Sequence, residues 1–455
     1  MDTLATSPGA QEATRAATAQ LGAWAAGLTW HDVPDAVQQR LQLVLLDSLG
    51  VGLVGSRLPE QRALVAAWQP GPGPSPVLGA GLLTTVESAA WLNAGALVCL
   101  ELDEGNKYAK GHPAAHGLPA VLALAAALGS TGTDTMSALL AAYEVAARFG
   151  RASRLRPGAH PHGSWGVAGA AAGCARLLGL DADGTAAAID TGTGMPIAGH
   201  FSSALDGNPV RNAWMSAANL SGLAAARMAG AGVARNTGTA AGSLGDLLGA
   251  LDVEVLVDDL GERWDVELGY FKRHASCSFT HPAADAVLEL RDRLGEHLHE
   301  IREIEVETHT LAVGLDRTSW SERLAAMFST PFVVAAALVH GHVDPSVSDT
   351  QARDDPAVRD LAAKVTLRRA PDLDARLPHE RAARVRVQTP ASTFVAETPN
   401  PVGDSAHHPL SYDDVAALLR RLLSDPAAVT VVEEVVDRMP AADDVTADLQ
   451  RLAGL

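Results

Sequence analysis

Apolar residues recur at helical spacing through residues 33–54, and the run closes on Leu49-Gly50-Val51-Gly52. The same period marks helices near 85–101, 118–129, 133–149, 166–179 and 213–231, with glycines or polar caps between them. Alanine and leucine supply most of their apolar positions. The segment around 166–180 is apolar on nearly every face, which predicts a helix buried inside a bundle. Its small side chains let neighbouring backbones approach closely. Residues 1–268 therefore read as almost wholly helical.

The period changes near Tyr270. One more helix, about 282–298, leads into residues 301–311 (IREIEVETHTL), where apolar and polar positions partly alternate as in a half-buried strand. Residues 383–387 (ARVRV) alternate again, pass through a Pro-Ala-Ser turn and continue into 393–397, a pattern that predicts a hairpin. A helix near 329–340 falls between these strands. Residues 400–408 are rich in Pro, His and Asp, as in a loop, and 411–423 return to helix with Ser411 as N-cap. The pattern predicts a mainly α fold. A large all-helical domain is made from both chain ends, 1–268 and 399–455, and a smaller α+β lid domain is inserted at 269–398.

Composition narrows the function classes. The 455 residues carry 35 basic and 53 acidic side chains, a formal net charge of −18, which argues against nucleic-acid binding. Aromatic residues make up only 4%, so the core must be filled by alanine and leucine, which favours packed helices over strands. Charges or glycines interrupt every apolar block, leaving no run of about 20 apolar residues for a membrane span. The first twenty residues lack a basic segment followed by an apolar one, so no secretory signal is expected. Cys99, Cys174 and Cys277 lie far apart without a CxxC pair. That usage predicts a cytoplasmic protein with no zinc or disulfide framework, and no metal site.

Standard nucleotide and hydrolase signatures are missing. No glycine-rich loop follows a strand, there is no P-loop, and Ala241-Gly-Ser-Leu-Gly245 lacks the first glycine of a nucleophile elbow. Three other stretches gather titratable groups inside apolar surroundings. Glu101-Leu-Asp-Glu-Gly-Asn-Lys107 with Gly111-His-Pro-Ala-Ala-His116 places three carboxylates and two histidines between two helices. His160-Pro-His-Gly-Ser-Trp-Gly166 immediately precedes the buried helix, whose N-terminus could receive a carboxylate. Phe271-Lys-Arg-His-Ala-Ser-Cys-Ser-Phe-Thr-His281 collects cations, histidines and a thiol at the domain junction, where ligand sites often form. The Cys277 thiol reads as inert, since nothing around it lowers its pKa.

These stretches are similar to the MmgE/PrpD family, which includes 2-methylcitrate dehydratase, cis-aconitate decarboxylase and iminodisuccinate epimerase. The resemblance covers most of the chain. It rests on LLDSLGVGLVGS (45–56), ELDEG and GHPAAH followed by LPAVLALAAALG (118–129), and AYEVAARFGR (142–151). HPHGSWGVAGAAAGCARLLGLD (160–181), FKRHASCSFTHPAADA (271–286) and FSTPFVVAAALVHG (328–341) complete it. It implies a homodimer whose active site lies between the two domains, acting on small di- and tricarboxylates without metal or organic cofactor.

Residue by residue, the resemblance puts an acidic site residue on Glu101, where Asp is usual, with Asp103 and Glu104 beside it. It puts histidines on His112, His160 and His281, and the lid lysine on Lys272. Gly105 stands where dehydratases and decarboxylases carry threonine, and Arg211 where they carry lysine. Cys277 replaces a histidine of the decarboxylase, and Phe332 a tyrosine. The shared step of such reactions makes or protonates a carbanion beside a carboxylate, which needs a base, an acid and fixed cations. His112 or His160 would move the proton. Lys272 would supply charge or the opposite-face proton, and Glu101 or Asp103 would orient a histidine or hold a hydroxyl. Arg211 and Arg273 would grip carboxylates. Dehydration of a hydroxy-polycarboxylate is the first expectation, with epimerisation of an amino- or imino-dicarboxylate as its rival. Decarboxylation stands third, and a catalytically silent scaffold belongs to a different class.

Overall fold

The alanine-rich segments fold as long helices that meet along their small residues. In the computed structural model, which describes residues 6–455, Gly173 of the Val167–Leu177 helix faces the Gly132–Ala152 helix. A Cβ at Gly173 would stand 2.7 Å from the Ala138 carbonyl oxygen, so only glycine permits this approach. The Pro113–Leu128 helix starts with proline, whose missing N–H has no partner at that position anyway, and ends on Gly129 in the left-handed region. With Asp35–Ser56, Val86–Val98 and Val210–Gly230, these helices enclose one apolar core.

The C-terminal segment joins that core. Ser411 caps the Tyr412–Leu423 helix, accepting the Asp414 N–H at 3.2 Å, while Asp414 Oδ2 accepts the Ser411 N–H at 3.0 Å. Leu419 and Leu423, with Val432 and Val436 of the Pro426–Arg438 helix, fill the same core as Leu45 and Leu49. Residues from both ends of the chain therefore bury one another.

A second core gathers residues between Ala283 and Ala396. It lies between the helices His281–Leu294 and Thr330–His340 and a four-stranded sheet. The strand order is Thr393–Thr398, Ala383–Gln388, Glu303–Thr308, Val365–Arg369. The expected hairpin is present, with Val385 opposite Ala396 and, on the other side, opposite Val306. Ile304, Val306, Val385 and Val387 face the core. Glu307 and Arg384 face outward and pair at 2.8 Å. The strand expected over 301–311 is shorter, ending at Thr308. The fourth strand, Val365–Arg369, runs parallel to Glu303–Thr308 and had no sequence signal. Only Val365 of its five residues is buried, so no alternation marks it.

Three two-stranded ribbons interrupt the helical part: Ser75–Val77 with Leu82–Thr84, Ser153–Leu155 with Gly249–Leu251, and Gly105–Asn106 with Gly269–Tyr270. The last of these ties the acidic segment to the start of the second unit. Among the described residues no single helix is long and apolar enough to cross a membrane.

Candidate active site

The Val86–Val98 helix ends, and the chain turns sharply at Glu101, whose φ of 51° is unusual for a residue with a side chain. Holding it there costs about 1–3 kcal/mol, which the surrounding contacts must offset. Two cations supply them. Lys272, directly beyond the Gly269–Tyr270 strand, donates from Nζ to the Glu101 carbonyl oxygen at 2.9 Å and lies 3.5 Å from Glu101 Oε2. Arg211 forms an ion pair with Glu101 Oε1 and donates to the Val98 carbonyl oxygen at 3.0 Å. All three side chains are buried. Burial alone would lower the Lys272 pKa, but Glu101 and Asp103 outweigh it and raise it, so the ammonium stays charged.

Four histidines crowd beside this ion cluster. His112 Nδ1 lies 2.6 Å from the Glu104 carbonyl oxygen, which can only accept, and 3.0 Å from Asp103 Oδ2. Nδ1 therefore carries a hydrogen, and Nε2 makes no hydrogen bond among the described residues. Burial works to raise the Asp103 carboxyl, but His112 beside it wins and holds it at about 2. His160 is arranged the other way. Its Nδ1 accepts the His162 backbone N–H at 3.1 Å, so Nε2 carries the hydrogen, and that Nε2 is buried without a partner. Burial, then Arg211, keeps the His160 pKa well below the ordinary histidine range, so the ring stays neutral. His162 accepts from Arg211 Nη2 at 3.2 Å and is kept neutral by the same two causes. His116 donates from Nδ1 to the His112 carbonyl oxygen at 2.9 Å and accepts the Gly163 N–H at 3.1 Å. Both of its nitrogens are used, and burial pushes it down to about 4; it joins the two histidine segments.

Glu101, His112, His160 and Arg211 line one cavity, which Phe201, Phe328 and Tyr270 wall on the apolar side. Cys277, Phe328, Phe201 and Phe279 of its lining belong to a third, smaller apolar cluster. Residues 19–245 match the MmgE/PrpD N-terminal domain and residues 274–438 match the MmgE/PrpD C-terminal domain. The chain belongs to the MmgE/PrpD family. This MmgE/PrpD protein is 27% identical over 476 aligned positions to a cis-aconitate decarboxylase of Aspergillus terreus, spanning 96% of this chain and 95% of that protein. It is 28% identical over 473 positions to a cis-aconitate decarboxylase-like protein of Aspergillus oryzae, spanning 96% and 97%.

The fold brings together most of the residues that the sequence singles out in this MmgE/PrpD protein, but not all. Glu101, His112, His160, Arg211 and Cys277 line the cavity, with Asp103 behind His112 and Lys272 behind Glu101. The Cys277 thiol is pushed up to about 11, first by burial and then by Glu101, so it is not a nucleophile near neutrality. Arg273 lies outside the cavity, bound to Asp285 at 2.8 Å beside His274. His281 is also outside, donating from Nε2 to the Ser276 carbonyl oxygen at 3.1 Å. Phe332 packs on Trp320 in the second core, with ring centroids 4.9 Å apart. Gly105 has no side chain to offer the cavity. Its Cα faces the Tyr270 ring, and a Cβ there would meet that ring. The cavity residues not singled out by sequence include His162, Lys110, Phe201, Tyr270, Phe328 and Arg381. The alternation in His160-Pro-His162 was the one signal for the first of them.

Two carboxyls near His112 make folding depend on pH. Tyr143 Oη donates to Glu104 Oε1 at 2.6 Å, and Asp47 accepts the Glu104 backbone N–H at 3.0 Å. Burial pushes both carboxyls up to about 8. Their unfolded values are near 4. The stabilisation from their protonated forms is therefore complete below about pH 4 and lost as pH rises through about 8. The unfolding midpoint should fall as pH rises from about 5 to about 8, and Glu104→Gln should flatten that fall. Calorimetry across the range reads both; an equal slope in wild type and variant would reject the assignment.

Proposed function

We propose that this protein is a cofactor-independent lyase that dehydrates a small hydroxy-di- or tricarboxylate. The observation that carries the reading is that two imidazoles facing one cavity commit Nδ1 in opposite senses, His112 to acceptors and His160 to a donor. His112, backed by Asp103, would present Nε2 as the base, and neutral His160 presents an N–H. His112 Nε2 would take the proton next to a carboxylate, and His160 Nε2–H would give one to the departing hydroxyl. Arg211 and Lys272 would stabilise the negative charge that develops on the carboxylate oxygens. Arg211 cannot replace lysine as a base, since its guanidinium stays protonated, so its part is electrostatic.

A second reading is favoured by the names of the two relatives. In a decarboxylation, His160 Nε2–H would protonate the carbanion left after loss of carbon dioxide. One experiment separates the readings: incubation in D₂O with citrate-like, aspartate-derived and cis-aconitate-like acids, followed by NMR. Water loss with a new olefin supports dehydration. Release of carbon dioxide with deuterium in the product supports decarboxylation. Exchange with stereochemical scrambling would instead favour an epimerase, and no turnover of any acid would sink the lyase reading.

A further inference from the structure

The cations lining the cavity and directly behind it are unequally compensated. Arg211 and Lys272 share the Glu101 carboxylate. Lys110 spends its Nζ on three carbonyl oxygens, those of Ser153 at 2.9 Å, Arg151 at 3.3 Å and Gly150 at 3.4 Å. Arg381 is different. It comes from the second unit, two residues before the Ala383–Gln388 strand, and reaches across to the first, donating from Nη2 to the Lys107 carbonyl oxygen at 3.0 Å. A second bond goes from Nη1 to Ser278 Oγ at 3.3 Å. The guanidinium carbon lies 5.1 Å from the Phe279 ring centroid and 5.8 Å from that of Tyr270. Arg381 is only 8% exposed, yet among the described residues no Asp or Glu oxygen lies within 4.0 Å of its nitrogens.

A buried guanidinium without a counter-ion is unfavourable, and a folded protein keeps one chiefly where an anion completes it. Arginine has five N–H donors, and these two hydrogen bonds leave three of them uncommitted on a side chain that lines the cavity. The flanking Phe279 and Tyr270 rings hold the plane in place, so little side-chain freedom is lost when a ligand binds.

We propose that Arg381 binds a substrate carboxylate remote from the reacting carbon, so that the cavity selects polycarboxylates over monocarboxylates. The inference rests on the proposed lyase reading and adds to it the residue that recognises the second anionic group. Contact with a remote group orients the reacting carbon against His112, so affinity and turnover should both depend on it.

The test uses the full chain and tricarballylate, a tricarboxylate with no hydroxyl to lose. Isothermal titration is run on wild type, Arg381→Gln, Arg381→Met and Arg381→Lys. Methionine keeps much of the packing on the two rings, so it decides the matter if the glutamine variant fails to fold. Gln and Met should each weaken tricarballylate binding at least 30-fold, with an unfolding midpoint unchanged in the ligand-free protein. Lys, which keeps the charge but loses the fork, should fall between them and wild type. Binding within threefold of wild type in a folded Gln or Met variant would overturn the role of Arg381 while leaving turnover, and the lyase reading, untouched. Failure of wild type to bind tricarballylate, with no turnover of any acid tested, would overturn both.

Discussion

Replacing His112 by glutamine is expected to lower turnover by about 10²–10⁴-fold, the range that a positioned general base contributes. The expectation follows from where the two nitrogens lie. Nδ1 is committed to Glu104 O and Asp103, so Nε2 is the nitrogen free to accept a proton. Glutamine retains a donor for the Glu104 carbonyl but has no basic atom to put in place of Nε2. Substrate affinity should change much less than kcat, because the carboxylate-binding cations remain. Asp103→Asn should give an intermediate loss, since the amide no longer stabilises the imidazolium. Steady-state kinetics on the acid identified by NMR read both variants. Unchanged kcat in His112→Gln would remove this residue from the reaction.

Replacing Glu101 by glutamine should produce the largest change in stability. Its one carboxylate serves two buried cations, Lys272 and Arg211. Breaking a buried pair by removing one partner costs about 3–5 kcal/mol, because the remaining charge stays buried without compensation. In the variant, burial of Lys272 is opposed mainly by Asp103, so the lysine pKa should fall. The variant should unfold at a lower midpoint than wild type. It should also recover more of that midpoint on adding tricarballylate, because the ligand's carboxylates can replace the lost counter-charge. Thermal unfolding with and without tricarballylate measures both effects. A Glu101→Gln protein as stable as wild type would show that the ion cluster does not govern this part of the fold.

Much of the fold was legible because burial writes a period into the chain. The Ala383–Gln388 hairpin strand buries every second residue, the Asp35–Ser56 and Gly132–Ala152 helices are buried on almost every face past their first turns, and each appeared near its expected place. The Val365–Arg369 strand did not, because four of its five residues are not buried and its pairing comes from Glu303–Thr308, about 60 residues earlier in the chain. Backbone hydrogen bonds made at such a distance leave no local pattern.

The site divides in the same way. Clusters of charge inside apolar sequence pointed to Glu101, Asp103, His112, His160 and Lys272, because charged groups rarely enter a core without partners. Adjacent residues with the same charge could not be told apart. Lys272 turns inward to Glu101, whereas Arg273 turns outward to Asp285. Nor could sequence find Arg381, one of four arginines between residues 376 and 386 that nothing in the local pattern tells apart.

By itself, then, the sequence determined the helical class, the hairpin, the family and the segments that carry titratable groups, since each depends on local pattern or on motifs in order. Only the tertiary structure decided which nitrogen of His112 and of His160 holds a proton, which cations are compensated, and that Arg381 faces the same cavity. Those properties depend on distances of about 3 Å between groups far apart in the chain, and such distances exist only once both cores have formed.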